Sequence, residues 1–379
     1  MKDLPRSGEG NKELDLLCIG NALVDVFARG KKQVASEYGI TRPVQHVEIQ
    51  KLMEIISAVS NSGVKGAIAF GAGGGAANVA KIAGFLGTNV CFTGAVGTEN
   101  QGKADGFGRL FESELASAGV KLKLPGKPSP TGICLIFRAE DGETLIAAAP
   151  SAAHEFGEGD LCEGDIQRAK VVLIDGYMMD RPGLVRRILN LADKYGTTAA
   201  LDLSSAAIAG EQAGEIAEYI RQYSFILFMN EEEAEVFYSA LKSKDPDFPL
   251  DEENNNKQWI SSLIAERRRA ASLLREACSF FQSLTDRNIF PLIVVKLGKR
   301  GAISFAGGNI YRTRTLEVIP LDTTGAGDTF CAAFLSAWVR NKSLAECAKL
   351  GNRAARIALG FEGTLIDRKH FKNIAQMLR

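Results

Sequence analysis

Residues 322–328, Asp-Thr-Thr-Gly-Ala-Gly-Asp, set two glycines, an alanine and a carboxylate directly ahead of an apolar periodicity. Phe330, Ala333, Phe334, Ala337 and Trp338 recur at i, i+3, i+4, i+7 and i+8, the spacing of one helix face. Gly325, Ala326 and Gly327 therefore fall at a helix N-terminus, where N–H groups without intrahelical acceptors and the helix dipole favour an anion. Asp328 puts a carboxylate into that place. The pairing is awkward for holding a phosphate alone, but it suits taking the proton of a hydroxyl that attacks a phosphate. The same seven residues also make a tight loop in which Asp328 caps the helix. The local pattern leaves both readings open.

Other polar positions repeat a second arrangement. Asn21 and Asp25 follow the apolar run Leu14–Ile19, and Asn230 and Glu233 follow another at 225–229. Open α/β sheets bind ligands beyond the carboxyl ends of their strands. Asp25 is thereby placed to accept bonds from sugar hydroxyls, and Asn230 with Glu233 to orient water around Mg²⁺. A capping box from Asn230 to Glu233 fits the same spacing. Residues 71–78, Gly-Ala-Gly-Gly-Gly-Ala-Ala-Asn, break the dinucleotide spacing G-x-G-x-x-G at Ala76, and no G-x-x-x-x-G-K-[ST] occurs. Gly73, Gly74 and Asn78 suit a helix start where backbone and an amide approach a polyhydroxylated ligand. Gly298 and Gly301 form a third glycine pair, behind Lys296 at the end of the run 292–295.

The elements that must position these residues are strands alternating with helices. Short apolar runs at Leu14–Ile19, 171–174, 199–203, 225–229 and 292–295 are bounded by Gly, Asp or Asn. Such runs mark strands buried on both faces of a parallel sheet. Helical periodicities at 79–86, 184–192 and 216–223 separate them, which predicts a doubly wound α/β core. Two regions break the rhythm. Strand-like segments 133–138 and 144–149 joined through Glu-Asp-Gly-Glu predict a hairpin that serves as a lid. Residues 242–290 open acidic and Asn-rich, then predict a helix over 259–284 carrying Glu266-Arg267-Arg268-Arg269, a charged run expected on a solvated face.

Composition excludes several classes. The chain is 46% hydrophobic and 24% charged with a formal net charge of zero, which points away from nucleic acid or an anionic membrane as partner. No run approaches the length of apolar residues that spans a bilayer. Seven cysteines are scattered without a C-x-x-C pair, several inside apolar patterns, as expected for free thiols in a reducing cytoplasm. Only three histidines occur and none neighbours a glycine-rich motif, so a histidine-centred mechanism is not expected.

Taken in order, these residues resemble the ribokinase, or PfkB, family of sugar and nucleoside kinases, over about 14–365. The match runs through Gly20-Asn21 with Asp25, Gly73-Gly74 with Asn78, Val96-Gly97 with Gly102, Thr131-Gly132, Asn230 with Glu233, Gly298 with Gly301, and Asp322 to Asp328. The resemblance implies a ribokinase-like three-layer α/β fold, with a mostly parallel central sheet flanked by helices and a small β lid. It implies ATP and Mg²⁺, Asp328 as general base, and the amides of Gly325, Ala326 and Gly327 as anion hole. Asn21, Asp25, Gly73, Gly74 and Asn78 resemble the acceptor-binding set, and Asn230, Lys296, Gly298, Gly301 and Asn352 the ATP-binding set. Glu233 and Asn230 would position Mg²⁺ through water, and Asp322 and Thr324 occupy positions that in some relatives help bind a monovalent cation such as K⁺. Gly75 and Lys296 depart from the residues frequent at their places. The start from Gly20 to Asp25 is similar to the adenosine-kinase-like branch, which favours a nucleoside or ribose-like acceptor.

The expected organisation is a flexible tail at 1–13 and one kinase domain at 14–379, with a lid from about 24–47 and 121–150 and an insertion at 242–290. A monomer and a homodimer are both compatible. The competing reading is a catalytically inactive relative that keeps the fold as a sugar or nucleoside sensor or scaffold.

Overall fold

The computed structural model describes residues 12–40, 44–61, 68–99, 102–140, 143–244, 277, 280–281 and 291–379. A nine-stranded sheet forms the centre, in the order Asn309–Thr313, Ala302–Ala306, Leu292–Lys296, Phe225–Asn230, Thr198–Asp202, Ala169–Asp175, Leu14–Ile19, Val90–Thr93, Lys121–Lys123. Pairing is parallel from Leu292–Lys296 through to Lys121–Lys123, and the first two strands in that order add on antiparallel. Apolar residues alternate between two cores. Leu16, Cys18, Val171 and Leu173 belong to one, whereas Leu17, Ile19, Val172 and Ile174 belong to the other. Both faces are covered by helices, so the strands read as continuous apolar runs rather than as alternation.

The predicted strands and the three helical periodicities all form. The periodicities become the helices Gly75–Phe85, Pro182–Lys194 and Ala213–Gln222. The helix Ala326–Trp338 differs from the one-faced helix its spacing predicts. Every residue from Thr329 to Trp338 is buried, because the helix lies between Gly75–Phe85 and Leu344–Ala358. Ala332, Ala333, Ser336 and Ala337 are small enough for that close packing, and Ser336 accepts a bond from Thr88 Oγ1 at 2.8 Å.

A five-stranded sheet, Val44–His46, Thr144–Ser151, Thr131–Ala139, Leu23–Gly30, Ile68–Gly73, forms the lid. The hairpin pairs antiparallel from Thr144 opposite Arg138 to Ser151 opposite Thr131. The lid range needs two corrections. Residues 121–123 join the edge of the central sheet, and Gly126–Lys127 pairs with Val96–Gly97. Lys121 and Lys123 are exposed there, charges that blunt an open sheet edge. The lid also gains Ile68–Gly73, whose glycines read as loop. Of the insertion, residues 242–244 complete the helix Glu231–Lys244, and Ala277, Phe280 and Phe281 are helical and buried, with Phe281 5.8 Å from Phe305 between ring centroids. Residues 266–269, the rest of 245–290 and the tail at 1–11 lie outside the described residues.

Cys18, Cys91, Cys331 and Cys347 are buried free thiols, as expected, and Cys134 and Cys162 are free. Among the described residues no helix is long and apolar enough to cross a membrane.

Candidate active site

A cavity of about 870 Å³ lies between the carboxyl ends of the central strands, marked by Asp175, Asp202 and Lys296, and lid residues such as Ile136 and Ile146. Asp328, Ala326, Gly327 and Thr324 line it, as do Asn21, Asp25, Gly74 and Asn78. So do Asn230, Glu233, Lys296, Gly298, Gly301 and Asn352. Gly73, Gly325 and Asp322 stand outside that lining and act on it from behind.

The helix carrying Asp328 starts at Gly325, whose φ of 72° is a left-handed conformation that glycine adopts at no steric cost. The Ala326 N–H reaches Thr323 O at 3.3 Å. The N–H groups of Gly327 and Asp328 meet no acceptor among the described residues. Two free donors thus stand at the helix N-terminus beside the cavity. Asp328 is half-buried and its Oδ2 accepts a bond from Asn78 Nδ2 at 2.9 Å. Burial first, then the charges of Asp202 and Asp175, push its carboxyl up to about 7 against the opposing pull of Asn78 and Lys296. Asp322 has a different task. Its Oδ1 accepts from Thr324 N at 3.0 Å and Thr324 Oγ1 at 2.9 Å, and its Oδ2 from Gly363 N at 2.9 Å. Burial opposes its charge, yet these bonds hold its carboxyl below the ordinary value.

On the lid side of the cavity Asp25 is buried, and burial raises its carboxyl to about 7, with Lys81 opposing and Glu114 assisting. Lys81 is itself buried and its Nζ donates to Glu114 Oε2 at 3.0 Å. Gly74, at φ 96°, brings the backbone so close that a Cβ there would stand 2.2 Å from Asn21 O. Asn21 Oδ1 accepts from Arg181 Nη2 at 2.9 Å, and Arg181 Nη1 donates to the carbonyls of Ala153, His154 and Phe156. The guanidinium therefore fixes which way the Asn21 amide faces: its Nδ2 donor is left for the cavity. Asn78 Oδ1 is buried and has no partner among the described residues, an orphan acceptor beside Asp328.

On the opposite side, Asn230 and Glu233 make the reciprocal bonds of a capping box. Asn230 N donates to Glu233 Oε2, Asn230 Nδ2 to Oε1, and Glu233 N to Asn230 Oδ1, each at 2.8 Å. The capping box that the spacing allowed is therefore formed, and Glu233 also lines the cavity. Burial raises its carboxyl to about 7, with Lys296 opposing. Lys296 Nζ donates to Asp202 Oδ1 at 2.8 Å and Oδ2 at 3.0 Å. At Gly301, φ is 92° and a Cβ would meet Thr313 O at 2.0 Å, while Asn352 Nδ2 donates to Thr313 O at 3.3 Å. Gly298, at φ 55°, leaves open space where a side chain would stand.

The sequence reading missed Asp175, Asp202, Arg181, Lys81 and Tyr177. A signal existed for the first two, each of which ends or nearly ends an apolar run that becomes a central strand. The others carry none, because their partners are distant in sequence.

A doubly wound sheet with a lid over a carboxylate and a glycine-bounded helix N-terminus defines a phosphotransferase that acts on an alcohol group. A family profile described as pfkB family carbohydrate kinase matches residues 49–369, and the chain belongs to that family. The family implies ATP and usually Mg²⁺. The chain is 24% identical to adenosine kinase 2 of Arabidopsis thaliana over 366 residues, covering 93% of this chain and 96% of that one. It is 25% identical to the ATP-dependent ribose-1-phosphate kinase of Halopiger xanaduensis over 293 residues, covering 77% and 81%. Among solved structures, adenosine kinase from Sinorhizobium meliloti superposes with a TM-score of 0.72 at 26% identity, covering 97% of this chain and 100% of that one. The enzyme is a sugar or nucleoside kinase.

Proposed function

We propose that the enzyme transfers the γ-phosphoryl group of ATP to a hydroxyl of a nucleoside or ribose-like acceptor. The observation that carries this reading is the mixed lining of the cavity, in which Asn21, Asp25 and Asn78 present polar groups and Leu23, Ile136, Ile146 and Ala148 present apolar side chains. A ribose needs the first and a flat base the second. Tyr177, 39% exposed and lining the same space, offers an aromatic face for stacking. The names of the Arabidopsis and Sinorhizobium relatives agree with a nucleoside acceptor.

In this reading Asp25 and Asn78 accept bonds from the acceptor's hydroxyls and turn one of them toward Asp328. Asp328 takes that hydroxyl's proton as its oxygen bonds to the γ-phosphorus and the phosphorus–oxygen bond to ADP breaks. The Gly327 and Asp328 amides face the charge on the moving phosphoryl group, a task for which a fixed helix N-terminus needs no reorganisation. The lid keeps out water, which would otherwise compete as acceptor.

The donor set also fits magnesium. Each Glu233 oxygen accepts one bond from Asn230 and keeps lone-pair capacity for a metal-bound water. When bound, Mg²⁺ neutralises charge on the triphosphate oxygens. Asp322 sets the loop through its bonds from Thr324 and Gly363, and its Oδ2, with one bond accepted, keeps lone-pair capacity for a monovalent cation such as K⁺.

An ATP-consumption screen over adenosine, other nucleosides, ribose, fructose and sugar phosphates tests the acceptor. A nucleoside gives the highest kcat/KM; a sugar phosphate ranking first would overturn the assignment. Acidity tests the base. With Asp328 at about 7 in the free enzyme, kcat/KM falls at least roughly tenfold from pH 8 to pH 6 as the carboxylate takes up its proton, and more steeply where Asp25 and Glu233, also at about 7, must be charged. A profile flat from pH 5 to pH 8 excludes Asp328 as the titrating base.

A further inference from the structure

Lys296 ends the strand Leu292–Lys296 at the carboxyl edge of the sheet, with its side chain 14% exposed and lining the cavity. Its ammonium stands 3.3 Å from the point where a Cβ on Gly327 would project, so it lies against the backbone of the anion-facing turn. Two of its three N–H donors go to the Asp202 oxygens, and the third reaches only the Cys331 thiol, at a long 3.8 Å. Cys331 Sγ donates to the same Asp202 at 3.0 Å, which fixes the carboxylate from a second side. Glu233 faces the ammonium from the helix Glu231–Lys244, which follows the neighbouring strand, and Asp328 faces it from the helix Ala326–Trp338. A single positive charge therefore sits at the junction of the base, the anion-facing amides and the magnesium-side carboxylate.

We propose that Lys296 is a catalytic residue that donates to the phosphoryl group in transfer, giving up its weak contact with the Cys331 thiol to do so, and that Asp202 is the positioning residue that aims it. Lys296 keeps its proton throughout, and no bond to it forms or breaks. Burial opposes the charge, but Asp202, Cys331 and Glu233 outweigh it and hold the ammonium above the usual lysine range. The charge is thus present at any working pH. A Cβ on Gly327 would press on the ammonium, which would have to give by a few tenths of an ångström. The inference rests on the kinase reading of the site, and one arm of its test measures binding alone.

Lys296→Met is expected to lower kcat at least about a hundredfold and to weaken binding of a non-hydrolysable ATP analogue, read by calorimetry, about tenfold or more. Binding of AMP, which lacks the transferred group, stays within about twofold. Equal loss of AMP and analogue binding, or unchanged binding of both, overturns the proposal. Lys296→Met alone leaves Asp202 buried without its partner, which endangers the fold. Lys296→Met/Asp202→Asn removes both charges and restores a neutral core. If Lys296 served only to neutralise Asp202, the double variant regains wild-type turnover and analogue binding. If Lys296 acts on the phosphoryl group, the double variant folds as wild type does and both losses remain. Should the wild-type enzyme turn over no acceptor in the screen, the kinase reading fails, while the analogue-against-AMP comparison still decides the contact.

Discussion

Asp328→Asn lowers kcat by at least about a hundredfold while ATP binding stays close to wild type. Asparagine preserves the shape and still meets Asn78, but it cannot take the acceptor proton. The helix N-terminus is untouched, because the anion-facing donors are backbone groups of residues 327 and 328. Near-wild-type turnover in the variant would remove Asp328 from the reaction. The same substitution has a second readout with a definite sign. The folded carboxyl titrates at about 7 against an ordinary value of 3.8, so between those values the folded chain holds a proton that the unfolded chain lacks. Stability from this group therefore falls as pH rises from about 4 to about 7, and the full penalty stands above 7. The neutral amide never carries that penalty, so the variant melts higher than wild type at pH 8 and about equally at pH 4. An unchanged melting temperature at pH 8 would contradict the account of a carboxylate held charged against burial and like charges. Loss of activity with gain of stability is what a site that strains its own charges must show.

Much of this arrangement was legible because it is local. The strands at Leu14–Ile19 and 225–229 announce themselves by apolar runs, and Asp328 by its place between glycines and a helix. Asn230 and Glu233 lie three apart, so their capping box could be read from spacing. What escaped is non-local. Arg181 lies 160 residues from the Asn21 it orients, and Lys296 lies 94 from Asp202. Only the strand order, which sets Thr198–Asp202 beside Phe225–Asn230 and that beside Leu292–Lys296, brings the last pair together. The lid strand Ile68–Gly73 was hidden for another reason. Glycine weakens a strand pattern, yet here it is required by what the neighbouring strand carries.

That requirement gives the second large effect. Gly73→Ala raises the acceptor KM by about tenfold to a hundredfold and leaves the ATP KM within about twofold. The alanine Cβ would stand 2.0 Å from Asp25 Oδ1 and 2.1 Å from its Cγ, far inside contact distance. The backbone cannot yield easily, since the strand Leu23–Gly30 is paired on both sides, with Leu23 opposite Gly73 and also opposite Gly132. The carboxylate must therefore rotate away. It then abandons the wall where it faces the acceptor, and a hydrogen bond to a charged group is worth about 1.5–3 kcal/mol, or a factor of roughly 10 to 150. Steady-state kinetics with each substrate varied in turn separates the two constants. An unchanged acceptor KM would show that Asp25 does not hold the acceptor. A general collapse of the site would raise both KM values together. The double variant Gly73→Ala/Asp25→Asn distinguishes displacement from any separate effect of the methyl group. If the alanine acts only by moving Asp25, the second substitution adds almost nothing to the first, and the two effects are strongly non-additive. Full additivity would mean that Gly73 and Asp25 touch the acceptor independently.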